Sequence, residues 1–218
     1  MAMNNSGKLS LAVIFGGVSS EHEVSRMSVT SILENLDRDK YDVHMVGITK
    51  EGKWLLYTGE VQEIVSGAWE QGPVTPTFLS PDPSVHGLVS IQDGKAQIIP
   101  VDVIFPALHG KNGEDGTIQG LFQLSGIPFV GCDAESSAIC MDKAVTHSLL
   151  SAADIEQAHY LWFYSDRFDA APDTIKQKIQ ARFDFPVFVK PANAGSSVGV
   201  SKVERAEDLD EAIRKAAK

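Results

Sequence analysis

Four stretches of the chain carry residue types spaced for chemistry. The first is Phe15-Gly16-Gly17-Val18-Ser19-Ser20-Glu21-His22-Glu23-Val24-Ser25. Glycines after an apolar run let the backbone turn sharply and let a ligand come close. A helix N-terminus ordinarily attracts anions. Here Glu21 and Glu23 fall in the first turn, which disfavours phosphate and suits a ligand ammonium. The same carboxylates also complement a helix dipole, and spacing alone leaves both readings open. The second stretch is His109-Gly110-Lys111-Asn112-Gly113-Glu114-Asp115-Gly116. It directly follows an apolar run, so it falls at the carboxyl edge of a sheet, where open α/β sheets bind ligands. His109 can donate or accept a hydrogen bond and Glu114 could orient it. A plain charged, glycine-rich turn fits equally well. The third, Met141-Asp142-Lys143, holds a lone lysine that taken alone reads as solvated. The fourth runs from Phe188 through Lys190 and the small residues Ala192-Asn193-Ala194-Gly195-Ser196-Ser197 to Val200. A lysine at a strand end before such a loop suits phosphate, with backbone N–H groups as partners. It is not a Walker A loop, because no Gly-Lys-Ser/Thr precedes a helix. A simple Gly/Ser hairpin is the alternative.

These residues need elements to position them. Residues 8–15 form a short apolar run that reads as a buried strand ending at Gly16-Gly17. Ser20 and Glu23 have capping-box spacing, and Met27, Val29, Ile32, Leu33 and Leu36 supply an apolar helical stripe. Residues 41–48 alternate as a second strand, completing a βαβ unit that favours a parallel sheet. The stretch from about 50 to 100 reads as an excursion from that sheet, with a helix over 61–69 and a hairpin centred on Asp93-Gly94. Residues 101–107 return to a buried strand, 117–125 predict a helix, and 127–130 a final strand. A second unit starts near Gly131. Its predicted helices are 136–141, 144–153, 173–183 and 206–217, and its predicted strands 160–163, 187–189 and 198–203. A layer that stops on a helix at Lys218 reads as part of a longer unit.

Composition narrows the function classes. Nineteen lysines and arginines against 29 aspartates and glutamates give a net charge of −10, which argues against a polyanionic nucleic-acid partner. A small anion remains within reach of a few placed lysines. No apolar run approaches the roughly 20 residues that span a bilayer, and no signal peptide opens the chain. Cys132 and Cys140 make no disulfide framework, and no Cys/His cluster has zinc spacing. A cytoplasmic protein is expected.

Taken together, GGVSSEHEVS (16–25), LHGKNGEDGTIQG (108–120), the Gly131 to Lys143 stretch and VKPANAGSSVGVSKV (189–203) resemble the D-alanine–D-alanine ligases of the ATP-grasp superfamily, with their D-Ala–D-Ser and D-Ala–D-lactate relatives. The resemblance runs from about Leu9 to Lys218. It implies an α/β chain: a Rossmann-like parallel-sheet N-terminal (pre-ATP-grasp) domain over 1–131, then an incomplete α+β ATP-grasp central subdomain over 132–218. The implied reaction serves peptidoglycan synthesis. ATP phosphorylates a first D-alanine, and the amine of a second residue attacks the acyl phosphate. The resemblance assigns Glu21 and Ser196 to the catalytic set, with Ser196 linking Glu21 to a tyrosine carried further along the family's chain. It places Glu21, Val24, Ser25 and His109 around the first D-alanine. It places Lys143, Lys190, Ser196, Ser197 and Val198 on ATP.

The resemblance puts the Mg²⁺ ligands, the catalytic arginine and the adenine-binding strand beyond residue 218, with no metal ligand in this chain. It therefore implies an N-terminal fragment that is inactive alone, and a homodimer formed through the first domain. One local departure is Ala153-Asp154-Ile155-Glu156-Gln157-Ala158, where the family often has a Gly-Ile/Leu-Pro-Val-Pro-like turn. The competing readings are a naturally truncated, non-catalytic protein that binds a ligand or partner, and an ATP-grasp ligase for another carboxylate. The Glu21/His109 pair, suited to a small amino acid's ammonium, argues against the last.

Overall fold

The computed structural model describes residues 7–217. The chain forms two compact units that meet in sequence between Ala138 and Ile139. The first is built on β1 (Leu9–Gly16), α1 (His22–Asn35), β2 (Tyr41–Ile48), β3 (Trp54–Tyr57), α2 (Gln62–Ser66), β4 (Val74–Leu79), β5 (Gly87–Gln92), β6 (Lys95–Pro100), β7 (Val103–Leu108) and α3 (Thr117–Ser125). Its seven strands make one sheet in the order β6-β5-β4-β3-β2-β1-β7. β1 pairs in parallel with both β2 and β7. It is buried on both faces, which explains its unbroken apolar run. Ala12 and Ile14 face a core completed by Ile118 and Phe122 of α3. Leu11, Val13 and Phe15 face the opposite core, closed by Val29 and Leu33 of α1 and by Trp69.

The stretch 50–100 corrects the expectation of an excursion. β3 to β6 continue the same sheet with antiparallel pairing. A tight turn after β2, in which Thr49 N donates to Lys53 O at 2.9 Å, returns the chain along the free edge of β2. The sheet is therefore mixed: β2, β1 and β7 run parallel at one end, and β3 to β6 extend it as an antiparallel wing. The Asp93-Gly94 hairpin and the 117–125 helix form where the sequence places them. The strand expected at 127–130 is reduced to one bridge, Phe129 to Ile104.

Two details of α1 also differ. The Ser20/Glu23 capping box does not form: Ser19 Oγ accepts from Glu21 N at 3.0 Å, and Glu23 is drawn out to Lys50. Met27 leaves the stripe and is 62% exposed. The buried positions are His22, Ser25, Val29 and Leu33, and Met27 lies about 200° around the helix from Ser25.

The second unit holds α4 (Ala134–Met141, across the division), α5 (Lys143–Ala152), α6 (Ser165–Ala170), α7 (Pro172–Arg182), β8 (Val187–Val189), β9 (Ser201–Val203) and α8 (Leu209–Ala216). β8 and β9 pair antiparallel. Phe168, Ile175, Ile179, Leu209 and Ile213 form its core. Residues 160–163 are not a strand. Leu161 and Phe163 pack on the core while Trp162 and Tyr164 are exposed, so the alternation is present, but no strand pairs with it among the described residues. The strand expected over 198–203 starts only at Ser201, because Val198 N and Val200 N close tight turns onto Gly195 O and Ser197 O.

Candidate functional site

The carboxyl ends of β1 and β7 bring the first two motifs together. Gly16 and Gly17 both take left-handed backbone angles, φ 87° and 97°. A β-carbon on Gly16 would collide with the carbonyl of Ile48, so only glycine fits there. Gly17 N donates to Ile48 O at 2.8 Å. Fully buried Ser25 accepts from Gly16 N at 2.7 Å and donates to Ala107 O, tying β1, α1 and β7 to one hydroxyl. His22 is also buried, with Nδ1 2.9 Å from Gly17 O.

The 109–116 loop is braced internally. Glu114 Oε2 accepts from Gly110 N at 2.7 Å, and Asp115 accepts from Asn112 N at 2.8 Å and Thr117 N at 3.1 Å. Burial raises the Asp115 pKa, but these hydrogen bonds outweigh it and hold the carboxyl below its ordinary value. His109 sits between Ser28 Oγ, 3.0 Å from Nε2, and Glu114 Oε1, 3.7 Å from Nδ1. Glu21 lies against this loop: a β-carbon on Gly110 would collide with the Glu21 carboxylate and stand 2.8 Å from Ser19 Oγ. The absence of that carbon lets the carboxylate and the loop approach. A cavity of about 310 Å³ opens beside them, lined by Gly17, Ile48, Trp54, Leu108, His109 and Ile118 among others. Glu21, Ser25 and His109 are thus gathered where β1 and β7 end. Val24 is 47% exposed on α1. Ser28, which steadies His109, was not singled out from sequence. Its signal was its place one turn after Ser25 on the same side of α1.

The other motifs meet in the second unit. Asp142 caps α5, accepting from Ala144 N at 2.9 Å and Val145 N at 3.1 Å. The cap sends Lys143 into the 192–197 loop, where Nζ donates to Ala194 O at 2.6 Å and Ala192 O at 3.3 Å. Burial, and next the charge of Lys190, hold the Lys143 ammonium below its ordinary pKa. Lys190 is exposed, 5.9 Å above the ring of Phe188. Ser196 and Ser197 both adopt positive φ, 46° and 59°, and Val198 is 49% exposed. Two lysines beside a loop of small residues, one already depleted of solvent, make a site that gains by taking an anion. Among the described residues no group of three or more His, Cys, Asp or Glu side chains could hold a metal ion, and no helix is long and apolar enough to cross a membrane.

The fold, a mixed α/β sheet unit followed by a unit carrying the two-lysine loop, is of the ATP-grasp type. The family model described as D-ala D-ala ligase N-terminus matches residues 10–132, and that described as D-ala D-ala ligase C-terminus matches 149–218. The chain belongs to the D-alanine–D-alanine ligase family. It is 53% identical over 209 residues to the D-alanine–D-alanine ligase of Caldicellulosiruptor bescii, covering 96% of this chain and 57% of that protein. It resembles the solved VanG D-Ala:D-Ser ligase from Enterococcus faecalis with a TM-score of 0.85 and 44% identity, over 96% of this chain and 59% of that one. The ligase from Coxiella burnetii gives 0.82 and 29%, over 96% and 60%. The chain thus spans less than two thirds of the length of the relatives it matches.

Proposed function

We propose that this chain supplies the first-amino-acid subsite and part of the ATP site of a D-alanine–D-alanine ligase. Residues 1–131 act as the pre-ATP-grasp domain and 132–218 as part of the ATP-grasp domain. The observation that carries the reading is the carboxylate of Glu21 set against Gly110, beside His109, at the ends of β1 and β7. Glu21 receives the ammonium of D-alanine, His109 and Val24 border it, and Ser25 fixes the strand ends beneath it. ATP supplies the phosphoryl group. Lys143 and Lys190 neutralise phosphate charge, and Ser196, Ser197 and Val198 bring the loop over it. Positioning and charge neutralisation are what phosphoryl transfer asks of a protein.

Mg²⁺ has no binding group assigned in this chain. On this reading, which rests on the family resemblance alone, its ligands lie outside these 218 residues, and the 218 residues by themselves bind without turning over. A first subsite for D-alanine serves a ligase whichever acceptor the second subsite takes, D-alanine, D-serine or D-lactate, consistent with 44% identity to an enzyme named for D-Ala:D-Ser. By family analogy alone, the protein is cytoplasmic and forms a homodimer through the first unit.

Glu21→Gln tests the reading, because it keeps shape and removes charge. A charge-assisted hydrogen bond is worth about 1.5–3 kcal/mol. Titration of the labelled chain with D-alanine, followed by NMR, should show affinity roughly 10- to 100-fold weaker, with ADP affinity retained. Unchanged D-alanine affinity with a small loss of stability would make Glu21 a helix-start charge only.

A further inference from the structure

The Gly16–Gly17 turn is made of two residues with no side chains, both in left-handed conformations. Such residues have the widest backbone freedom in the chain and need outside anchors to hold one shape. Two anchors take N–H groups: Ser25 Oγ for Gly16 and Ile48 O for Gly17. The carbonyl of Gly17 is taken, among the described residues, by His22. That carbonyl sets the peptide plane leading through Val18 to Ser19 and Glu21.

We propose that His22 is the positioning residue of the first-amino-acid subsite: its ring N–H, donated to the Gly17 carbonyl, fixes the glycine turn and so the place of Glu21. The inference rests on the reading of Glu21 as the ammonium ligand. A carbonyl can only accept, so Nδ1 carries the hydrogen and the tautomer follows from its partner. The ring is 1% exposed, so water does not compete for the bond. Its Cε1 stands 3.1 Å from where a Gly16 β-carbon would be, directly under the turn. Ser19 O receives His22 N at 3.3 Å, so the residue after Glu21 is tied to both ends of the short loop that carries it. The alternative is a histidine that only fills space.

Three variants separate the two. His22→Leu fills the space and cannot donate. His22→Asn places an amide N–H where Nδ1–H stands. His22→Gln carries the same amide one carbon further out. Amide exchange in the labelled 218-residue chain should be roughly tenfold faster at Gly17 in His22→Leu, with Ala12–Ile14 of β1 still protected. His22→Asn should recover most of that protection and His22→Gln should not. D-Alanine affinity from the same spectra should fall about tenfold in His22→Leu and return to within about threefold in His22→Asn. If His22→Leu does not fold, the Asn and Gln variants decide alone. Unchanged Gly17 exchange in His22→Leu, or an Asn variant no nearer the parent than Gln, overturns the proposal. A parent chain whose spectra ignore D-alanine overturns the subsite reading instead, while Gly17 exchange still decides whether His22 anchors the turn.

Discussion

The ammonium of Lys143 is withdrawn from water beside two loop carbonyls and lies near Lys190, so it releases its proton more readily than an exposed lysine. A phosphate would reverse that balance by favouring the charged form. ADP binding on the alkaline side should therefore take up a proton, and affinity should fall as pH rises through the lowered Lys143 value. Calorimetry in two buffers of different ionisation enthalpy reads the uptake directly. Lys143→Arg, which stays charged, should abolish it. At this scale the sequence exposes residue types well: a lysine at a strand end and a carboxylate at a helix start are visible. It hides partners. Ser19 Oγ meets Glu21 N, and Glu23 pairs with Lys50, a lysine that lies beyond α1 in another turn.

Elements meet at Ser25. Its hydroxyl satisfies Gly16 N from β1 and Ala107 O from β7, and it is fully buried. Ser25→Ala removes the hydroxyl that both groups bond in a buried place, which costs about 1–3 kcal/mol. Urea unfolding should show that loss as a lower midpoint with an unchanged slope. Thr30→Ala, which removes only a bond to the carbonyl one turn back along α1, should cost well under half as much. Strand and helix periods are local, and so β1, α1, β2, the Asp93-Gly94 hairpin and α3 were legible. Pairing is not local. Nothing in the prolines and glycines of 50–100 says that β3 lies along β2, and nothing in the alternation of 160–163 says that no partner strand will be found.

Over the whole chain, two separate cores imply that acid acts unevenly. His44 belongs to the first unit, with Nε2 3.0 Å from Ser10 Oγ, and burial lowers its pKa against the opposing charge of Asp42. The unfolded value is about 6.5. Below it the unfolded chain takes the proton first, so stability is lost as pH falls from there through the lower folded value. Thermal melts should show the transition of the first unit dropping across this window, and His44→Gln should flatten that part of the curve. A lower-pH loss should remain in the variant, because Asp115 and other carboxylates are held below their ordinary values by hydrogen bonds and titrate later. The sequence pattern changes near Gly131, while the two compact units divide between Ala138 and Ile139, inside α4. That place was not legible, since a helix announces its own period and not the unit to which each turn belongs.

The spacing of α1 also sets how the gene can vary. Glu21, Ser25 and Ser28 meet the ends of β1 and β7 and the loop beyond, while Val29 and Leu33 fill the core one turn further on. Losing one codon between Ser20 and Ser28 turns everything after it by about 100°. Ser28 and the core residues would swing away together, and no compensating substitution at one position could restore both. In a library of in-frame single-codon deletions, that interval should be empty of survivors. The exposed connection at residues 81–84, which carries no such phase, should tolerate them freely.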